Sequence, residues 1–485
     1  MKRAVSYNDV AAFVSMPLSS SHIESNSSDE EEESKSFPMK KLAIVMVGLP
    51  ARGKTHIARY IARYLNWLGR TTRVFNVGNY RRELVGASQP AQFFDPNNQE
   101  GRQARWELAI KCLDDMIAWL KHQHGQVGIY DATNNTKERR KYVKERLEGE
   151  CIRVLFLESI CEDKSIIEHN VMETKLRMPD YQDMDPESAV EDFQRRIANY
   201  EVANETIEDD EMASYIKIIN LGRTIVLHQL TGYLQGKLVS YLMNMHTLPR
   251  SIYLTRHGES EYNVEERLGG DPDLTPKGKR YAAQLAEYVH KEFTAQGKEL
   301  PLIWTSQLRR SRHTVEFIPT HNVCWRALNE INAGVCEGKT LNDVKQLYPK
   351  IYEDRMKDKL HFRYPGGESY VDVIQRLEPV MLEMERLRES ILIVSHNAVI
   401  RAIYGFLIGK RQEECPNLEV PLHVVIKLTP RAYGCEEVRV ELKVEPEEES
   451  WVDSSCASLS NVYSGSVPTQ VFFGSCENSF SDRNN

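Results

Sequence analysis

The stretch Gly48-Leu-Pro-Ala-Arg-Gly-Lys-Thr55 constrains this chain more than any other. Its spacing, GxxxxGK[ST], is that of a phosphate-binding loop, and both flanks fit. Before it, Leu42–Val47 is a continuous apolar run, as in a strand buried on both faces. After it, Ile57, Ile61, Leu65 and Leu68 recur at helical spacing. Strand, glycine turn and helix in that order commit this region to an α/β fold. Gly48 and Gly53 let the backbone curl so that successive N–H groups face phosphate oxygens, with Leu49, Pro50, Ala51 and Arg52 completing the nucleotide-binding loop between them. The helix N-terminus adds partial positive charge. Lys54 is placed to reach the outer phosphates of a nucleotide such as ATP, and the Thr55 hydroxyl to hold Mg2+. Such a loop alone does not separate a kinase from another nucleotide hydrolase.

Further strands are expected at Val127–Tyr130 and Ile152–Leu157, and Val226, Leu230, Leu234, Leu238 and Leu242 predict one closing helix. Asp131 follows the first of these strands, where a carboxylate orders Mg2+ or acts on an acceptor hydroxyl. Arg81, Arg82, Arg102, Arg105, Arg139 and Arg140 supply guanidinium forks suited to a phosphate on the acceptor.

A second α/β unit opens at Pro249, with strands expected at Ile252–Leu254, Leu302–Trp304, Ile391–Val394 and His423–Leu428. Ile374, Leu377, Met381, Met384 and Leu387 mark one face of a helix. Alternating strands and helices predict parallel sheets covered on both faces. Arg256-His257-Gly258-Glu259-Ser260 ends the first strand, Arg309 and Arg310 follow the second, and Ser395-His396-Asn397 follows the third. Strand C-termini are where α/β proteins bind ligands. A neutral imidazole at His257 can attack phosphorus, Arg256 can neutralise the oxygens, and Glu330 is a candidate proton donor. These groups form a hydrolytic pocket that requires no metal.

The sequence of 485 residues has room for two such units, and its 41% hydrophobic content is ordinary for a globular protein. A net charge of −8 argues against nucleic acid as a partner, so any anion site is built locally. No apolar run is long enough for a membrane span, and the N-terminus lacks the apolar core of a secretory leader. Nine cysteines without a CxxC pair fit free thiols in a reducing cytoplasm. Residues 1–38 carry the acidic run Asp29–Glu33 and, like 446–485, read as disordered tails. Residues 39–249 and 250–445 read as the two folded units. Ser6, three residues after Arg3, and Ser27 and Ser28, before the acidic run, match the preferences of regulatory protein kinases.

The ordered motifs GLPARGKT, NVGNYRRE, DATNNTKERR, RHGES, SQLRRS, ALNEINAGVCEG and SHNAVIR, spread over about residues 40–445, closely resemble the 6-phosphofructo-2-kinase/fructose-2,6-bisphosphatase family. The resemblance implies a P-loop kinase domain followed by a histidine-phosphatase domain of the phosphoglycerate-mutase-like kind. It implies ATP-dependent phosphorylation of fructose 6-phosphate at the 2-hydroxyl, and hydrolysis of fructose 2,6-bisphosphate through a phosphohistidine. It also implies a homodimer. On the kinase side it puts Arg81, Arg105, Thr133, Arg139, Lys175, Arg196 and Tyr200 around fructose 6-phosphate. It gives Asp131 and Cys161 active-site roles and sets Asn170 near ATP. On the phosphatase side it makes His257 the nucleophile and Glu330 the acid, with Arg256, Asn263 and His396 stabilising the phosphoryl group. Gly269, Arg355, Lys359, Tyr370 and Arg401 are implied contacts of the bisphosphate, joined by Arg310 and Asn397.

Departures from the family pattern fall mostly in the second unit. Ser395-His396-Asn397 stands where the family often reads Cys-His-Gln, Leu341 replaces a Tyr, and Asn332 replaces an Asp. In the first unit Lys175-Leu-Arg-Met-Pro-Asp-Tyr181 replaces Lys-Leu-Gly-Ser-Pro-Asp-Tyr. These changes imply a retained but weakened bisphosphatase, with the kinase favoured. A kinase fused to a degenerate phosphatase is the alternative within enzymes. A catalytically dead nucleotide-responsive scaffold is argued against by intact Lys54, Thr55, Asp131, His257 and Glu330.

Overall fold

Leu42–Val47, six apolar residues buried throughout, form β1 at the middle of a six-stranded sheet. A computed structural model of the protein describes residues 41–87, 89–172, 179–181, 184–245, 250–431 and 434–444. Both tails, with Ser6, Ser27 and Ser28, and also Lys175, lie outside the described residues. The chain runs from β1 through α1 (Lys54–Trp67), β2 (Thr72–Asn76), α2 (Val77–Leu84), α3 (Gln99–His122) and β3 (Val127–Asp131). It continues through α4 (Lys137–Glu148), β4 (Arg153–Ile160), α5 (Lys164–Asn170), α6 (Pro186–Glu201), β5 (Tyr215–Ile219), β6 (Thr224–His228) and α7 (Tyr233–Asn244). The strand order is β2-β3-β1-β4-β5-β6. β1 pairs in parallel with β3 on one side and β4 on the other, so the order reverses at β1 and a crevice opens beyond its carboxyl end.

The second sheet has the order β12-β11-β7-β10-β8-β9. Its parallel centre is β7 (Ile252–Arg256), β10 (Ile391–Ser395), β8 (Leu302–Ser306) and β9 (Asn322–Trp325). α8 (Glu261–Val264), α9 (Pro276–Ala295), α10 (Arg309–Thr314), α11 (Leu341–Leu347), α12 (Pro349–Lys357), α13 (Tyr370–Arg386) and α14 (Asn397–Leu407) surround it. The hairpin β11 (Val424–Arg431) and β12 (Gly434–Glu441) closes one edge.

Two expectations need correction. The sheets are not wholly parallel: β6 pairs antiparallel with β5, β11 with β7, and β12 with β11. The stripe Val226–Leu242 is not one helix either. Its first member lies in β6, and only the later ones lie in α7. Thr224-Ile-Val-Leu-His228 is rich in β-branched residues and starts and ends at turns, so strand chemistry overrides a spacing that fits a helix equally well.

A single hydrophobic cluster runs through both units, from Ile44 and Ile61 to Ile393 and Phe406. Its seam is the far end of α1. Trp67 Nε1 donates to the Ala402 carbonyl at 2.9 Å, and Trp67 meets Phe406 edge-on. Tyr64 stacks on Tyr241 and donates to Glu378 at 2.7 Å, and Lys237 binds the other oxygen of that carboxylate at 2.6 Å. Arg63 and Arg250 share buried Glu385, at 2.6 and 3.5 Å. Burial disfavours the Arg63 charge, but Tyr241 and Glu385 outweigh it and leave its pKa raised. Removing one partner of such a buried group strands the other charge, at about 3–5 kcal/mol. Glu385→Ala should therefore lower the chemical-denaturation midpoint markedly; an unchanged midpoint would show that this network contributes nothing net.

Candidate functional sites

The loop after β1 has a cavity on each side. Gly48 donates to the Thr133 carbonyl at 2.9 Å, tying the loop to the turn after β3. Its φ is 129°, and a Cβ there would stand 2.4 Å from the Ser159 carbonyl, so glycine alone lets the loop pass β4. Gly53 is the N-cap of α1, and Lys54, its first residue, folds back to the Leu49 carbonyl at 2.6 Å. Leu49, Arg52 and buried Cys161 line a cavity of about 520 Å3. On this side Arg52 meets Glu201 at 3.3 Å, and Asn170 donates to the Ala51 carbonyl at 3.1 Å.

The other cavity, about 650 Å3, holds Pro50, Lys54, Thr55 and Asp131 on one wall. Arg81, Arg105, Arg139 and Arg196 occupy the rest, with Thr133 and Tyr200 beside them. Asp131 is buried at the end of β3, and one of its oxygens accepts from Asn76. Arg81 is 5% exposed and grips both oxygens of Asp180 at 2.6 and 2.7 Å, while its Nη1 has no protein partner among the described residues. Arg196 lies over Phe94 at 3.8 Å and donates to Tyr181 at 2.8 Å. Arg105 donates to the Phe93 carbonyl, and Arg139 to Asn134 at 3.1 Å. Burial lowers the pKa of Arg81 and Arg105, against the pull of Asp180 and Tyr200 respectively. Arg140 does not join them: its guanidinium is buried on Glu211 at 2.6 Å and on backbone carbonyls.

In the second sheet, β7, β8 and β10 deliver His257, Arg310 and His396 to one point. The His257 N–H bonds the Ser395 carbonyl at 3.0 Å, and the two imidazole centroids are 5.0 Å apart. His257 Nδ1 donates to the Gly258 carbonyl at 2.7 Å, which leaves Nε2 as the lone-pair atom, and Arg310 Nε donates to it at 3.1 Å. Burial, then Arg310, holds the His257 pKa well below 6.5, and burial and Arg310 do the same to His396. His396 Nε2 meets Ser306 at 2.7 Å, while His396 Nδ1 and Arg256 Nε have no protein partner among the described residues. Glu330 lies at the start of α14, where its carboxylate accepts from the N–H groups of Asn397 and Ala398 at 3.1 and 3.2 Å. Asn263 accepts from Ser260 in the first turn of α8.

Tyr370 and Arg401 meet at 3.4 Å, Arg355 donates to Tyr364 at 2.7 Å, and Lys359 to the Pro416 carbonyl at 2.7 Å. Burial, with Arg401 and Arg355 nearby, lowers Lys359 to about 8. Of the adjacent pair after β8, only Arg310 reaches His257; Arg309 is half exposed and paired with Asp271 and Asp273. Ser395 donates to the Leu328 carbonyl at 2.6 Å, and Leu341 is partly exposed in the first turn of α11. Asn397 Oδ1 is buried without a protein partner among the described residues. Sequence reasoning missed Asn76, Asp180, Ser306 and His423, whose Nε2 accepts from the Glu259 N–H at 3.3 Å. Asn76 and Ser306 open two of the recognised motifs; nothing local marks His423. Among the described residues, no group of three or more His, Cys, Asp or Glu is placed to hold a metal ion, and no helix is long and apolar enough to cross a membrane.

A P-loop facing an arginine-lined cavity and a buried, cation-flanked histidine together define a two-domain phosphotransfer protein, a kinase unit followed by a histidine-phosphatase unit. Residues 29–249 match the family model of 6-phosphofructo-2-kinase, and 252–443 that of the histidine phosphatase superfamily (branch 1). A Caenorhabditis elegans 6-phosphofructo-2-kinase/fructose-2,6-bisphosphatase is 46% identical over 85% of this chain and 91% of its own. The Rattus norvegicus form 4 is 45% identical over 83% of this chain and 85% of its own. The chain belongs to the 6-phosphofructo-2-kinase/fructose-2,6-bisphosphatase family.

The two depressed imidazoles carry a stability consequence. The unfolded chain protonates both as pH falls through 6.5, while the folded protein does not. Stability is thus fully present above that pH and declines below it, by up to about 1.4 kcal/mol per pH unit for each group. Denaturation midpoints measured from pH 7.5 downward should fall more steeply for the wild type than for His257→Gln. Parallel curves would refute the burial argument.

Proposed function

We propose that this chain both makes and removes fructose 2,6-bisphosphate: a kinase reaction at the P-loop cavity and a phosphatase reaction at His257. The observation that carries this reading is two separate, differently built phosphate sites in one chain: cationic forks around a P-loop, and a neutral buried histidine among arginines.

In the kinase reaction, ATP supplies the phosphoryl group and Mg2+ neutralises its charge when bound. The Thr55 hydroxyl and Asp131 carboxylate are hard oxygen donors of the kind Mg2+ takes alongside water and phosphates. Lys54 and the loop N–H groups hold the phosphates, with Cys161 and Asn170 on the nucleotide side. Arg81, Arg105, Arg139 and Arg196, with Thr133, Tyr200 and Lys175, hold fructose 6-phosphate. Burial penalises the first two cations, and a bound phosphate dianion relieves that penalty. Asp131 orders Mg2+ or receives the proton of the 2-hydroxyl.

In the phosphatase reaction, His257 Nε2 attacks the 2-phosphate as the bond to sugar oxygen breaks, and Glu330 gives that oxygen a proton. Water then attacks the phosphohistidine and returns the proton to Glu330. Arg256, Arg310, Asn263 and His396 stabilise the phosphoryl oxygens. Arg355, Lys359, Tyr370, Arg401, Asn397 and the backbone at Gly269 hold the rest of the sugar. The reading includes a homodimer, a cytoplasmic location and phosphorylation of the tail serines by regulatory kinases.

One preparation with two assays tests it. Lys54→Met should abolish bisphosphate synthesis and spare hydrolysis; His257→Ala should do the reverse and remove the phosphohistidine. Loss of both reactions in either variant would defeat the two-site reading. Of the departures in the phosphatase, Ser395 is committed to Leu328, Asn332 Oδ1 accepts the Gly334 N–H at 2.8 Å and Leu341 is partly exposed, so we trace the weakening to Asn397. Asn397→Gln should raise bisphosphatase kcat/KM by about tenfold, the worth of one hydrogen bond; no gain would leave the weakening without a cause.

A further inference from the structure

Glu337 belongs to none of the contacts invoked so far, yet its carboxylate is bound at both ends. Oε2 accepts the Gly270 N–H at 2.5 Å, and Oε1 accepts the Ala333 N–H at 2.7 Å. A Cβ on Gly269 would lie 1.8 Å from Oε2, so this glycine, at φ 66°, makes room for the carboxylate itself. The Gly270 carbonyl accepts Arg310 Nη1 at 2.8 Å, and Arg310 Nε reaches His257 Nε2 at 3.1 Å. One loop residue, Gly270, thus lies between the two, its N–H held by a carboxylate and the carbonyl of its next peptide receiving the nucleophile's arginine. Arg310 is 3% exposed, and its nearest carboxylate is Asp271 at 3.9 Å, too far for a hydrogen bond.

We propose that Glu337 is a positioning residue for the bisphosphatase reaction: through the Gly269–Gly270 backbone it fixes the Arg310 guanidinium against His257 Nε2. The inference rests on His257 being the nucleophile. The carboxylate does two things. It orients the Gly270 carbonyl that receives Arg310, and its negative charge helps keep the buried guanidinium charged, alongside Glu330 and Asp271. A guanidinium held in place before phosphate arrives needs no reorganisation when charge develops on the phosphoryl oxygens. It also keeps a proton off His257, whose other charged or titratable neighbours are Arg256, His396 and His423.

Glu337→Gln keeps the shape but turns an N–H donor toward one of the two backbone N–H groups. The bisphosphatase kcat should fall about tenfold, with KM changing less than twofold and bisphosphate synthesis unchanged. The acidic limb of the phosphatase pH profile should move to higher pH, because a loosened Arg310 no longer excludes the proton from His257. In an Arg310→Lys background, Glu337→Gln should cost nothing further. Unchanged kcat and pH profile, a KM effect alone, or full additivity with Arg310→Lys would overturn the proposal. If wild-type protein forms no phosphohistidine that His257→Ala removes, the nucleophile reading fails instead, and the control separates the two failures.

Discussion

Two helices begin at the two phosphate sites and meet at a distance from both. α1 starts with Lys54, and α14 starts with Asn397, next to His396. A helix of 14 residues spans about 21 Å, so the end of α1 lies well away from the P-loop. There Trp67 donates to Ala402, in the middle of α14. The rest of the architecture depends on this seam. The apolar faces of both helices are buried in one cluster, and neither unit closes that core alone. The polar groups at the seam are satisfied across it: Tyr64 by Glu378, Arg63 by Glu385, and Lys237 by Glu378. Apolar burial supplies the attraction, while the buried pairs, which roughly break even in stability, fix which residue faces which.

The chain is net acidic, so neither site can rely on the overall field for its anions. Each is charged locally, by burying cations at some cost. Placement decides what a buried arginine does. Arg140 is saturated by Glu211 and carbonyls and serves the fold. Arg81 is matched on one nitrogen by Asp180 and, among the described residues, unmatched on the other, which suits an incoming oxygen. Arg256 and Arg310 carry the same logic to the second site, where among the described residues both lack a hydrogen-bonded carboxylate partner and both are desolvated.

The parts legible in the sequence are those where several weak constraints coincide. The P-loop could be read because an apolar strand, fixed glycines and an amphipathic helix each had to appear in register, and all did. His257, Arg310 and His396 could be read because each ends or follows a short apolar strand. What was not legible depends on pairings between distant residues. Asp180 lies 99 residues from Arg81, and neither neighbourhood announces the other. The Val226–Leu242 stripe misled because leucines four apart fit a strand, a turn and a helix in succession as well as one helix. Nothing near Gly269, expected beside the ligand, announces that its missing side chain also makes room for Glu337, a carboxylate 67 residues from the Gly270 N–H it binds.

The same physics serves opposite ends at the two sites. In both, burial and clustered cations make an environment that favours an added anion. At the P-loop cavity those cations line open space, which suits the phosphates of the substrates proposed for it. At the second site they surround an imidazole, and the field that would hold a phosphoryl group also keeps that imidazole unprotonated. A protonated His257 has no lone pair to offer phosphorus. With His257 as the proposed nucleophile, the arginines beside it would act before the substrate arrives, by keeping the imidazole available, and again afterwards, by meeting the charge on the phosphoryl group. That double demand favours an Arg310 held in place rather than merely present, and the Gly270 backbone that receives its second nitrogen does have a carboxylate behind it.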